Sequence, residues 1–409
     1  MLRAGVGYCN ETDPFCAGKT VAAAALESGA LSRADLVLAF CAGTLDPEAF
    51  FKGLQSVVGH NVPIIGGSTI GVITNHYLSY RGFPAAAAVL QSDTCGFRVA
   101  SSGGLDRDEM SAGKILAGLL PRSRADRVLL AFYDSIRIPA TITTPPVLNS
   151  SAPLLSGMEA GMAGGIPIVG AGLLGDYDFS ATRQFCGDRV AEQHVVGCIA
   201  SGSFSVYHAI MHGCIPLDGI YHRITRLEGS VLYELDGKPV VPLINELFGN
   251  TDWQAEHPVN YLTLGINYGE RYGIPQEKSY VNRLITGVTA DGRGIGMFEP
   301  DLAPGMEIQF MIRDNRIMLD SARENTAELL RRITAGGKRP IFALYIDCAG
   351  RTAEQSVTDS EEASEVQKVL NHSGVPLLGF YSGVEIAPFL GRSRGLDWTG
   401  VLVVFAGDR

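Results

Sequence analysis

The sequence predicts a mixed α/β protein, built from internally duplicated strand-helix-strand-helix units with mixed sheets, plus an inserted antiparallel sheet in the C-terminal half. Three observations carry this. A proline-led apolar run that breaks at glycine occurs three times, as Val62-Pro63-Ile64-Ile65-Gly66, Ile166-Pro167-Ile168-Val169-Gly170 and Val375-Pro376-Leu377-Leu378-Gly379. Apolar runs of strand length lack polar alternation and sit between helix-like stretches, the pattern of sheets covered on both faces. From about residue 206 to 315 strands dominate, with hairpin signals at Asp236-Gly237 and Asp291-Gly292.

The elements follow in order. Leu2 to Tyr8 is a strand, and a helix runs from Pro14 to Ser28 with Asp13 as N-cap and proline at the first helical position. Leu36 to Cys41 is a strand, Asp46-Pro47 opens a helix to about Val58, and strands follow at Pro63 to Gly71 and Phe83 to Leu90. A second copy begins near Gly96: a strand at Phe97 to Ser101, a helix at Asp106 to Leu120 and a strand at Val128 to Tyr133. A helix from Asn149 or Ser150 to Met162 and strands at Pro167 to Gly170 and Val195 to Ala200 complete it. Ala17-Gly18-Lys19 answers Ala112-Gly113-Lys114, and Ala34-Asp35-Leu36 answers Ala125-Asp126-Arg127, which points to duplication. The antiparallel stretch, about 220 to 315, holds one helix at Val241 to Phe248. A third unit then offers a helix from about Arg323 to Ile333, a strand at Ile341 to Ile346, a helix at Ser360 to His372, and strands at Pro376 to Gly379 and Val401 to Phe405. Two domains are expected, 1–217 and 218–409, the second split into the antiparallel sheet and the α/β unit of 320–409.

Composition bounds the function. With 409 residues, 46% apolar and a net charge of -10, the chain reads as globular, without the basic footprint of a nucleic-acid binder. No run approaches a membrane span and the start lacks the pattern of a signal peptide. Eight cysteines without framework spacing point to reduced thiols in the cytoplasm.

Proline at a strand's start and glycine at its end deliver three glycine-rich corners to one end of a sheet. Ligands of open α/β sheets bind beyond such strand ends, so Gly66, Gly67, Ser68, Thr69, Gly170, Gly172, Tyr381, Ser382 and Glu385 are the candidate ligand-binding residues. Arg283 joins them: it would grip the carboxylate of an amino-acid-like ligand while Glu385 meets the ammonium. The bland reading of the same residues is tight turning and ion pairing. Gly170 to Gly175 also spells GxGxxG after a strand, yet a loop, not a helix, follows, so the phosphate-binding context is missing. His208 and His212, four apart on a strand, lie roughly 13 Å from one another and cannot share an ion. No metal site is expected, and His76 or His212 would serve as axial ligand only if haem binds. No nucleophile elbow, HExxH or P-loop occurs, so no catalytic residue is expected.

Pro63 to Gly71, Gly229 to Gly249 with Leu235-Asp236-Gly237-Lys238-Pro239, Tyr280-Val281-Asn282-Arg283 and the closing Pro376 to Pro388 together resemble the FIST family, FIST N followed by FIST C. Val384 stands where glycine commonly precedes the glutamate. The resemblance implies a non-catalytic sensory module of signal transduction that binds a small ligand such as an amino acid. It implies a separate signalling partner such as a histidine kinase, since the chain ends after its last strand. Some members of the family bind haem and sense nitric oxide, so a haem b sensor is the alternative. An enzyme acting on a small polar metabolite is the alternative from another class.

Overall fold

The computed structural model describes residues 1–408 apart from 142, 143, 145, 163, 164 and 357. The first unit contains β1 (Arg3–Asn10), α1 (Pro14–Ser28), β2 (Leu36–Ala42), α2 (Pro47–Val58), β3 (Ile64–Thr69), β4 (Val72–Thr74) and β5 (Pro84–Gln91). Asp13 and Asp46 accept hydrogen bonds from the amides of Cys16 and Ala49, which fixes both helix starts where the prolines mark them. The second unit has β6 (Cys95–Gly103), α3 (Glu109–Leu119), β7 (Asp126–Asp134), α4 (Ser151–Gly161), β8 (Ile168–Leu173), β9 (Gln184–Gly187) and β10 (His194–Gly202). The third begins early, with β11 (Ser205–Met211).

An all-antiparallel insertion follows: β12 (Cys214–Pro216), β13 (His222–Glu228), β14 (Val231–Leu235), α5 (Val240–Phe248), β15 (Leu262–Asn267), β16 (Tyr280–Val288), β17 (Ile295–Met297) and β18 (Glu307–Arg313). The third unit then resumes with α6 (Asn315–Ala335), β19 (Lys338–Cys348), α7 (Glu362–His372), β20 (Leu377–Ser382), β21 (Val384–Phe389), β22 (Arg392–Leu396) and β23 (Gly400–Asp408). The division expected between 217 and 218 thus falls just beyond β12, with the third unit's first strand on its N-terminal side.

The units share one strand order. In each, the first strand pairs with the last, the last lies antiparallel to the strand after the first helix, and that strand runs parallel to the next. The orders are β1-β5-β2-β3, β6-β10-β7-β8 and β11-β23-β19-β20. Each sheet is extended by a strand from another unit. β9 pairs with β3, β21 with β8, and β4 with β20, so the three units are interlocked in a ring.

The three sheets turn one face inward onto a common apolar core and the other outward onto their own helices. Along β5 the period-two alternation is plain: Ala86, Ala88 and Leu90 enter the common core, while Ala85, Ala87 and Val89 pack with α1 and α2. Phe40, Phe132 and Phe380, one from each sheet, meet at its centre, with ring centroids 3.9 Å, 5.4 Å and 5.8 Å apart. The inserted part is more than a sheet. β18-β13-β14-β17-β16-β15 closes when β15 pairs back with β18, giving a six-stranded barrel around Ile224, Leu264, Ile285 and Phe310. Asp236 and Gly237 make its tight hairpin with φ of 53° and 75°.

Candidate functional site

The strand-end corners of the second and third units face the barrel, and a cavity of about 1030 Å³ lies between them. Its floor comes from residues just past strand ends: Ser135 after β7, Leu174 after β8, Cys348 at the end of β19, and Ser382-Gly383 at the end of β20. The barrel supplies Leu284, Thr286, Met297 and Phe298, and Asn149 and Ser150 enter from the segment before α4. Leu174, Phe179, Met297, Phe298 and Trp398 give it apolar walls.

One side is acidic. Glu299, just after β17, is 2% exposed, and its Oε1 accepts from the amide of Ser151 at 3.3 Å. Burial first, then the neighbouring Asp397, pushes its carboxyl up to about 8, against the pull of Arg283. Asp397, 1% exposed, accepts from the amide of Leu284 at 3.0 Å, and burial raises it to about 6. Both residues line the cavity.

Buried polar groups ordinarily find partners, and an unpaired one costs roughly 1–3 kcal/mol. Around this wall several have none: Ser135 Oγ, Asn149 Oδ1, Ser150 Oγ, Glu299 Oε2 and Asp397 Oδ1, with Tyr133 Oη and Ser151 Oγ behind them. Such a concentration beside an apolar chamber is what a specific small-molecule site requires.

The residues expected from sequence are distributed unevenly. Ser382 lines the cavity and donates to the Asp347 carbonyl at 3.0 Å and to Glu385 at 2.8 Å. Gly172 lies beside it: a Cβ there would stand 2.3 Å from Ser135 Oγ. The other glycines serve packing. A Cβ at Gly66 or Gly170 would come within 2.0 Å or 1.7 Å of the carbonyls of Ala39 and Ala131, and one at Gly67 within 2.2 Å of the Arg183 carbonyl. Ser68 is buried with its amide on the Arg183 carbonyl, and Thr69 donates to the Tyr381 carbonyl at 2.6 Å, tying the first unit to the third. Tyr381 is buried in the outer core of the third unit.

Arg283 and Glu385 do not form the expected amino-acid clamp. Arg283 is 1% exposed and already engaged, with Nε 2.6 Å from Asp301, Nη1 2.8 Å from the Asn282 carbonyl, and Asp397 at 3.9 Å. Glu385 is fully buried between Ser382 and the Thr399 amide, and burial holds its carboxyl well above the usual range. The reason is that partners within the fold claim them first: Asp301, 18 positions on, takes Arg283, and Ser382 and Thr399, 3 and 14 positions away, take Glu385. His212 likewise has both ring nitrogens in use, Nε2 on the Glu277 carbonyl at 3.0 Å and Nδ1 on the Cys214 amide at 3.0 Å, so it is not free for haem iron. His76 is exposed in a separate groove of about 640 Å³, between α1 and the end of α7. Gly175 leads not into a helix but towards β9, so the GxGxxG spelling lacks its anion-binding element. Among the described residues no group of three or more His, Cys, Asp or Glu is placed to hold a metal ion.

Glu299, Asp397, Asn149 and Ser135 went unremarked in the sequence. The nearest signal was Asp397-Trp398, a charged residue against tryptophan in an otherwise apolar ending; nothing marked Glu299.

Comparison with known proteins agrees with the sequence motifs. The chain is 25% identical to an uncharacterized protein of Mycobacterium tuberculosis, over 99% of this chain and 100% of that one. It is 26% identical to one from Mycobacterium bovis, over 60% and 61% of the two chains. A solved cyanuic acid hydrolase from A. caulinodans aligns over 100% of both chains at 10% identity, with a TM-score of 0.35, too loose a superposition to carry an argument. The FIST N domain matches residues 35–238 and the FIST C domain matches residues 242–388. The chain belongs to the FIST family, whose domains are of the sensory, signal-transduction kind.

Proposed function

We propose that this protein is a non-catalytic, intracellular sensor whose small, amino-acid-like ligand occupies the cavity between the ring of α/β units and the barrel. The observation that carries this is the juxtaposition, in one chamber of about 1030 Å³, of apolar walls with buried, partnerless oxygens of Ser135, Asn149 and Glu299. Of the residues read from the sequence, Ser382 lines this cavity, and Arg283 and Glu385 are buried beside it.

The cavity's location explains how occupancy becomes a signal. Its walls belong to two bodies, so a ligand that touches both favours the closed arrangement, and a partner such as a histidine kinase reads the difference. That requires the ligand to bind the two arrangements with different affinity.

The test is a thermal-shift screen of the purified protein against amino acids, amines, nucleotides and small organic acids. A ligand that prefers the native state raises the melting point, by about 2.7 kcal/mol of stabilisation at 100 times its Kd. At least one class is expected to do so, and Met297→Trp, which fills the chamber, is expected to abolish the shift. A panel without any response, or a shift untouched by that substitution, overturns the assignment.

A second reading rests on Glu299 and Asp397, two carboxyls of different proton affinity on one cavity wall, the arrangement used for general acid-base chemistry. Conversion of a stabilising ligand, followed by proton NMR over hours with the protein at substrate-like concentration, would move it to the enzyme class. Unchanged ligand leaves the sensor.

A further inference from the structure

The acidic wall says which ligand chemistry the chamber accepts. Resting on the cavity assignment above, we infer that the ligand is a primary amine on a short apolar body, its ammonium seated against Glu299 and Asp397 and its body between Trp398, Phe179 and Met297. The ligand needs no carboxylate.

Four observations support this. First, the buried atoms along the wall without a hydrogen-bond partner are oxygens: Ser135 Oγ, Asn149 Oδ1, Ser150 Oγ, Glu299 Oε2 and Asp397 Oδ1, the last with only the distant Arg283 guanidinium at 3.9 Å. Every one of these oxygens can accept, Glu299 fully so once it gives up its proton, and an ammonium brings three donors to such a set. Second, the cation that would pair with a ligand's carboxylate is already spent. Arg283 lies against Asp301 at 2.6 Å and Asp397 at 3.9 Å, and it is not among the residues lining the chamber. Third, the local charge does not balance even with a proton on Glu299: one guanidinium, Arg283, stands against two aspartates, Asp301 and Asp397. Buried charges are tolerated when paired, and a cation from outside supplies what the chain leaves out. Fourth, Leu174, Phe179, Met297, Phe298 and Trp398 also line the chamber and suit a hydrocarbon body.

Seating the ammonium has a proton consequence. Glu299 is faced by Asp397, Arg283 and Asp301, by the Tyr133 hydroxyl behind it, and by the Ser151 amide at the start of α4; His257 stands elsewhere on the lining. Burial keeps a proton on Glu299 in the empty chamber, and a cation against it favours the carboxylate, so amine binding near pH 7 expels about one proton to solvent.

The experiment is isothermal calorimetry with the full chain and four probes that share a phenylethyl body: 2-phenylethylamine, 2-phenylethanol, phenylalanine and 3-phenylpropanoate. The amine is expected to bind at least tenfold more tightly than the alcohol and the amino acid, with no detectable binding of the propanoate. Its heat in phosphate and in Tris should differ by the ionisation heat of about one proton. Glu299→Gln, which keeps the acceptor for Ser151, is expected to weaken the amine at least tenfold and to remove the buffer dependence. The probe comparison on the unaltered chain needs no variant, so a Glu299→Gln chain that fails to fold does not shield the claim. If the propanoate binds best, or if alcohol and amine bind alike, the ammonium assignment is overturned while the chamber stands; if phenylalanine binds best, the claim that no carboxylate is needed is overturned. If none of the four binds and the wider screen is also silent, it is the cavity reading that fails.

Discussion

At the residue scale the acidic wall governs behaviour. A carboxyl whose proton is held more tightly in the folded chain than in the unfolded one stabilises the fold at low pH and withdraws that help as pH rises. For Glu299, raised from an ordinary value of 4.5 to about 8, the loss runs across that whole interval. Below about pH 4.5 both states carry the proton; above about 8 both have lost it and the folded state bears the full cost of a buried charge. The unaltered chain is therefore expected to lose stability from about pH 5 to 8, and Glu299→Gln to flatten that slope by on the order of a few kcal/mol. Urea unfolding at half-unit pH steps measures it, and parallel profiles for the two chains would refute the account. Neither Glu299 nor Asp397 was legible beforehand. A glutamate between phenylalanine and proline in Phe298-Glu299-Pro300 is unremarkable until the fold buries it against Asp397, a residue 98 positions away.

At the scale of elements, the repeated Pro-to-Gly runs are explained by contact. Gly66, Gly170 and Gly379 occupy the same place in their sheets, opposite Ala39, Ala131 and Tyr345 on the parallel neighbour. A Cβ would lie 2.0 Å, 1.7 Å and 2.6 Å from the carbonyl oxygens of those partners. Gly66 also has a φ of 131°, a conformation side chains avoid. Alanine at Gly66 or Gly170 is expected to cost more than about 4 kcal/mol, among the severe single substitutions, and less at Gly379. Chemical denaturation ranks the three; equal, mild effects would mean the sheets yield easily. Helix starts were readable because their signal is local: Asp13-Pro14 and Asp46-Pro47 cap and begin α1 and α2 at the expected residues. The start of α6 was not. It begins at Asn315, eight residues before the expected Arg323, because Asp314 takes the amides of Arg316 and Ile317 directly after a strand.

At the scale of the whole molecule, one attachment of the barrel to the ring of units runs through highly connected buried groups. Glu277, just before β16, accepts from the amides of His212 and Gly213, from Ser321 on α6, and from Asn325 at 3.0 Å. Beside it, Arg351 pairs with Glu362 and donates to the carbonyls of His212 and Trp398, all fully buried or nearly so. Removing one partner of such a cluster strands the others, at about 3–5 kcal/mol. Glu277→Ala is expected to lower the melting point and to split one calorimetric transition into two, as barrel and ring uncouple. A single transition at unchanged temperature would show that the attachment lies elsewhere. Trp398 belongs to both this cluster and the cavity wall, so ligand occupancy and domain attachment share a residue.

The sequence by itself determined the element order, the helix caps, the three recurring corners and the family, because caps, turns and apolar period act over a few residues. It also placed Ser382 at a strand end, and that residue lines the cavity. Only the tertiary structure decided that β4, β9 and β21 each complete another unit's sheet, that the inserted strands close into a barrel, and which residues form the chamber. Those outcomes depend on contacts between segments more than 300 positions apart, such as Gly379 with Ile73. There, pairing, burial and charge are settled by what the completed fold brings near, as when Gly395 and Asp397, more than a hundred positions on, meet Arg283.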